Sequence, residues 1–309
     1  LQQGAGEAVV AANTLFTADL LLQMQTTEPG NIFVSPLSLS TAMGMLEAGA
    51  AGETKAQIDQ VFRYPQTNLY TELGVLRKSA SRIMEPISPD AGDVQITSIA
   101  NSVWLDKRVL LKADYVQTLR DDFDAPPNIL DFHTQPDSSR ETINNWVEDK
   151  TNNRIQNLMT KNNVTEDTKL ILVNTVYMTS QWQNIFVESQ TKPVSFYTQG
   201  TKAEPRELMH HRGTYQRMKV RGGEALKIPY ANQTSMIVLR PNGRRGLSSV
   251  NAMMRQDTIS AVIENLDKSP AALTDLALPK FRLEARYELQ QPLEEMGLTS
   301  IFKDSADLS

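Results

Sequence analysis

Residues 169–178 read Lys-Leu-Ile-Leu-Val-Asn-Thr-Val-Tyr-Met. The stretch is strongly apolar and rich in β-branched residues, and it predicts a buried central strand. By itself Asn174 reads as an ordinary buried amide. Working outward, the period changes. Upstream, residues 138–150 predict a helix with Ile143, Trp146 and Val147 on one face. Residues 94–105 alternate as a strand does, 112–123 predict a helix and 128–132 an extended segment. Downstream, residues 193–239 read as several short strands in succession. Residues 250–266 return to helix, 271–283 are extended, and 289–296 hold a last short helix.

Nearer the start, residues 5–26 carry Ala8, Ala11, Leu15, Ala18 and Leu22 at near-helical spacing. Glu28-Pro29-Gly30-Asn31 punctuates that helix. Ile32–Val34 predicts a short buried strand, and Ser38 a cap for the next helix. Helices are then expected over residues 53–62 and 70–84. Helices cluster early and strands late, with no fixed repeat and no composition break. That is an α+β pattern.

Hydrophobic residues make up 40% of the 309 and charged residues 22%, enough apolar surface for a core. Thirty-six acidic against 31 basic residues give a net charge of −5, which argues against nucleic acid as the main partner. No apolar run approaches the roughly 20 residues that span a bilayer, so no membrane partner is expected. There is no cysteine, which removes disulfides, thiolate nucleophiles and Cys-ligated metal. The start at Leu1, without a leader, reads as a processed or trimmed end.

Candidate chemistry is sparse. His210 and His211 are neighbours and point to opposite faces of an extended chain, and His133 stands apart, so three converging metal ligands are not in view. No Gly-x-Ser-x-Gly elbow, His-Glu-x-x-His or phosphate loop occurs. An enzyme is therefore not expected. Lys78 and Arg82, four apart on one helix face with Arg77 beside them, are a candidate polyanion site for a heparin-like glycosaminoglycan; no other cofactor and no metal are expected. Asn163-Val164-Thr165 and Asn232-Gln233-Thr234 are glycosylation sequons, which tilt the reading towards a secreted, extracellular protein.

Several stretches resemble one family, the serpins. Asn31-Ile-Phe-Val-Ser-Pro-Leu-Ser38 with Ser40-Thr-Ala resembles its first strand-to-helix motif. Leu46-Glu-Ala-Gly-Ala-Ala-Gly-Glu-Thr54 is similar to the turn that follows. Ile143-Asn-Asn-Trp-Val-Glu-Asp-Lys-Thr151 and Ile155-Gln-Asn-Leu158 resemble its surface helix and the segment after it. Leu172-Val-Asn-Thr-Val-Tyr-Met178, with Trp182 and Phe186, resembles its most diagnostic strand. Leu226-Lys-Ile-Pro-Tyr230, Ser235-Met236, Leu278-Pro-Lys-Phe281, Leu293–Gly297 and Ala306-Asp-Leu-Ser309 follow in family order. Each motif is weak alone. Their collinearity over almost all of residues 5–309 is specific.

The resemblance implies a single domain over 1–309, α+β, with three β-sheets and about nine helices. It implies a metastable suicide inhibitor of serine proteases. The protease cleaves an exposed loop, becomes acylated, and is trapped when the loop inserts into the large sheet. The alternative within the family is a non-inhibitory carrier, chaperone or storage protein. Ser35, Ser38 and Asn174 match the "shutter" where the large sheet parts. Trp182 and Lys280 match the "breach" where insertion begins. The resemblance also implies that the chain continues past Ser309. That part would hold the next strand of the large sheet, the acidic hinge, the reactive loop with its scissile bond, the last strands, a shutter histidine and an acidic partner for Lys280. Partners expected are a serine protease and, after cleavage, the protein's own C-terminal fragment; a monomer is expected.

Overall fold

The computed structural model describes residues 6–83, 96–198, 202–243, 254–303 and 305–308. They group into two compact units. The first draws on residues 1–13, 35–179 and 297–309, the second on 14–34 and 180–296. Each unit is assembled from separated stretches, and one crossing falls inside helix α1 (Glu7–Thr27). That interleaving is why composition shows no break along the chain.

The first unit is built on a sheet of three strands in the order β2 (Pro127–Leu130), β1 (Ile96–Asp106), β3 (Leu170–Thr179). β1 runs parallel to β2 and antiparallel to β3, and the second register sets Asn101 opposite Asn174. Helix α2 (Pro36–Glu47) packs on β3. Its start is set by Ser35, whose Oγ accepts from the Ser38 N–H at 3.3 Å, and by Pro36 in the first turn, where a missing N–H costs nothing. Helices α3 (Gly52–Phe62), α4 (Leu69–Ile83) and α5 (Ala113–Asp121) follow. α2 and α4 approach closely at Gly44, where a Cβ would stand 2.6 Å from Leu73 Cδ1.

Helix α6 (Pro136–Lys150) lays the predicted face on the sheet. Ile143 and Val147 are buried with Trp104, Phe132, Val164, Ile171 and Val173, and Trp146 meets Trp104 edge-on at 6.2 Å. Each such side chain contributes roughly 1.5–3 kcal/mol of burial. α3 also secures the far end of the chain. Gln57 Oε1 accepts from the Thr299 and Ser300 N–H groups at 2.9 and 2.8 Å, and Thr54 Oγ1 from Asp307 N–H at 3.0 Å.

In the second unit β5 (Lys202–Val220) is the spine. It pairs antiparallel with β4 (Lys192–Thr198) along 202–208, with β8 (Ala271–Pro279) along 208–216 and with β6 (Gly223–Pro229) along 217–220. β7 (Ser235–Pro241) completes the path beside β6. Helices α7 (Gln256–Asn265) and α8 (Gln290–Glu295) belong to this unit.

Four sequence expectations need correcting. Ile32–Val34 is not a strand: Phe33 is 57% exposed and its N–H goes to the Tyr287 hydroxyl at 3.0 Å, not to a ladder. Ser35 caps α2 in place of Ser38, because Pro36 opens the helix one turn earlier. The apolar run at 169–178 is not central among the described residues: β3 pairs with β1 on one edge, and its burial comes from helices on its faces. The strands of 193–239 include one unbroken strand of 19 residues, since β5 changes partners without turning. Residues 5, 84, 94–95, 199–201 and 250–253 of the expected elements lie outside the described residues.

Candidate functional site

Two clusters hold the residues singled out in the sequence, one in each unit. In the first, a line of small polar side chains runs from α2 into the sheet. Ser38 Oγ donates to Asn174 Oδ1 on β3. Asn174 Nδ2 donates to Asn101 Oδ1 on β1. Asn101 Nδ2 donates to the Phe123 carbonyl at 3.0 Å, in the turn after α5. Ser35 joins the line through its cap on the Ser38 N–H. The structure thus brings together all three expected shutter residues and adds Asn101, which is only 8% exposed.

Local sequence explains the line. Strand alternation puts Val173 and Thr175 on one face and Asn174 on the other, and the antiparallel register delivers Asn101 to the same position on the neighbouring strand. Every amide here both donates and accepts, so the chain of bonds is continuous and no amide is left half-satisfied. Thr175, the next residue of β3, is buried with its Oγ1 unpartnered among the described residues. Hydroxyls and amides can change partners when a strand slides, whereas an apolar contact offers nothing to exchange. Asn101 was not singled out because its role depends on register. The one signal was an amide inside the alternating stretch Ile99–Leu105.

The second cluster is aromatic. Trp182 stacks on Tyr230, with ring centroids 4.5 Å apart and planes 18° apart, and meets Phe186 edge-on at 5.7 Å. Two backbone bonds set this geometry: Gln183 N–H to Pro229 O and Ala231 N–H to Gln181 O, both 2.9 Å. The pair sits over a core of Tyr215, Ile228, Leu276 and Leu278. Tyr215 and His211 share a hydrogen bond at 2.7 Å, and burial pushes the Tyr215 and Tyr230 hydroxyls above the usual phenol range. Lys280 follows β8. Its backbone N–H donates to Glu207 O at 2.8 Å and its side chain is exposed, outside the aromatic packing.

The remaining candidates divide. Asn163 is exposed, with its Oδ1 accepting from Thr160 N–H at 2.8 Å. Asn232 is 3% exposed and its Oδ1 is taken by the Thr234 N–H and hydroxyl at 3.2 and 2.6 Å. A glycan needs a path to solvent, so the structure withdraws Asn232 as an acceptor in the folded chain. Lys78 is exposed on α4. It lies near Asp122, whose carboxyl is raised above its usual range by burial and by Asp121 while Lys78 pulls it down. The side chains of Arg77 and Arg82 lie outside the described residues. No described helix is long and apolar enough to cross a membrane.

Comparison with known proteins gives a consistent answer. A family model described as serpin (serine protease inhibitor) matches residues 11–309. Serpin B3 of Homo sapiens is 30% identical over 311 residues, covering 96% of this chain and 79% of its own length. Ipis-1 of Ixodes persulcatus is 32% identical over 303 residues, covering 95% and 77%. The structure of ovalbumin from emu (Dromaius novaehollandiae) matches with a TM-score of 0.88 at 25% identity, over 97% of this chain and 80% of that one.

Proposed function

Because the chain belongs to the serpin family and has its α+β fold, we propose that it is a suicide inhibitor of serine proteases. The observation that carries the reading is the polar line from Ser38 of α2 to Asn174 and Asn101, which face each other on neighbouring strands. A strand inserted beside β3 would pair its backbone with that of β3. It would also meet side chains that can trade hydrogen bonds as β3 shifts.

In this reading the protease's serine attacks the scissile carbonyl of a loop beyond Ser309, and an ester to the loop replaces the peptide bond. The released loop end enters the sheet beside β3. The gain is strand pairing and burial, and the ester is held where water attacks it slowly. Trp182 and Tyr230 form a stacked aromatic pair, and Lys280 is exposed and would meet an acidic partner. The exposed Asn163 suits a secreted protein glycosylated there, and a mass loss on enzymatic deglycosylation tests that point.

The experiment is incubation of the full-length protein with trypsin-, chymotrypsin- and elastase-like proteases, followed by a denaturing gel. A band at the summed mass that survives boiling in detergent is expected with at least one of them. Cleavage of the loop by each protease with no such band would overturn inhibition and favour a non-inhibitory carrier or storage role.

A further inference from the structure

We infer that a pocket in the first unit, away from the polar line, binds the guanidinium group of a small organic cation. The cavity holds about 200 Å³ and is lined by Glu47 of α2, Lys55 and Asp59 of α3, Asn68 and Tyr70 at the start of α4, and Asp122 after α5. One ammonium, Lys55, faces three carboxyl groups there.

The pocket has an unmet demand for donors. The Glu47 side chain is 2% exposed. Its Oε1 pairs with Lys55, and its Oε2 is buried with no hydrogen-bond partner among the described residues. A buried carboxylate oxygen without a donor is costly and rare, and calls for an occupant. Lys55 is engaged by Glu47 Oε1 and does not also satisfy Asp59, from which its nitrogen stands 4.0 Å, beyond hydrogen-bond range. Asp59 and Asp122 are each held above the usual carboxylate range chiefly by burial, against the pull of Lys55 on Asp59 and of Lys78 on Asp122.

The shape of the demand selects the ligand. Among the described residues no three acidic or histidine side chains converge closely enough to hold a metal ion. The acceptors are instead spread around a void several times the roughly 30 Å³ share of a water molecule. A planar guanidinium carries five N–H donors in a fixed fork and can reach separated acceptors together. Its face can also rest on an aromatic ring, which Tyr70 provides. None of this depends on the inhibitory reading.

The test is calorimetric titration of the full protein with agmatine. Tetramethylammonium, a cation with no N–H donors, is the control. Saturable one-to-one binding of agmatine is expected, with none by tetramethylammonium. Asp59→Asn and Asp122→Asn, both at partly exposed positions and so tolerable to the fold, should each weaken it at least about tenfold. Absence of saturable binding up to about 10 mM agmatine, equal binding of tetramethylammonium, or unchanged affinity in both variants with melting temperatures preserved would overturn the assignment.

Discussion

The polar line of the first unit and the aromatic stack of the second solve opposite problems. Ser38, Asn174 and Asn101 are small, and each can donate and accept. They hold the β1–β3 pair in register while leaving every bond replaceable by another. Trp182, Tyr230 and Phe186 make contacts that depend on ring geometry, with centroids 4.5 and 5.7 Å apart, and a displaced ring has no substitute partner. The contrast teaches where a sheet can give and where it must not. In the proposed mechanism the exchangeable polar groups mark the place that moves, and the stacked aromatics the place that stays.

The largest effect should come from the fixed region. Trp182→Ala removes a stacked, half-buried indole and is expected to cost about 2–4 kcal/mol in denaturant unfolding. Trp182→Phe should recover part of that loss. A loss below 1 kcal/mol, roughly what one ordinary exposed contact is worth, would break the picture of a fixed stack.

The movable region should respond differently. Asn174→Ala is expected to lower stability by about 1–3 kcal/mol and to raise spontaneous polymerisation on a native gel, because Ser38 and Asn101 both lose a partner. Asn101→Ala should do the same. The double variant should fall short of the sum by about 0.5 kcal/mol or more, since the two amides share one bond. Strict additivity would remove Asn101 from the line. Ser35→Ala, which loses only a helix cap, should cost about 1 kcal/mol and leave polymerisation unchanged.

The sequence made part of this contrast readable and hid the rest for physical reasons. Asn174 is legible only through the family resemblance, because an amide inside 169–178 reads by itself as an ordinary buried one. Asn101 did not, because its importance lies in facing Asn174 across a register that single-strand patterning does not encode. The α6 face of Ile143, Trp146 and Val147 was legible from helical spacing, and burial bears it out for Ile143 and Val147. Ile32–Val34 misled because three apolar residues predict a strand whether or not a partner strand is present, and here the Phe33 N–H bonds a tyrosine hydroxyl. The change of partners along β5 and the burial of Asn232 are likewise tertiary facts with no local signature.

A pH-dependent effect calibrates the sheet away from the polar line. Asp106 at the end of β1 is fully buried and accepts from the Arg108 guanidinium and backbone and from His133 N–H, which hold its carboxyl down at about 2. A depressed folded-state value means the carboxylate stabilises the fold above the ordinary range near 4. That contribution fades as pH falls from there towards about 2. The gap in melting temperature between the wild type and Asp106→Asn should therefore be constant above about pH 5 and close on acidification. A gap independent of pH would show that Asp106 acts through packing alone.

The central claim is that the sheet of the first unit accepts another strand beside β3. Heat unfolding of the protein before and after protease cleavage of the loop proposed above tests it most directly. The account predicts that the cleaved protein melts far above the intact one, because the inserted strand adds pairing and burial that the intact sheet lacks. Equal or lower melting after cleavage would contradict it.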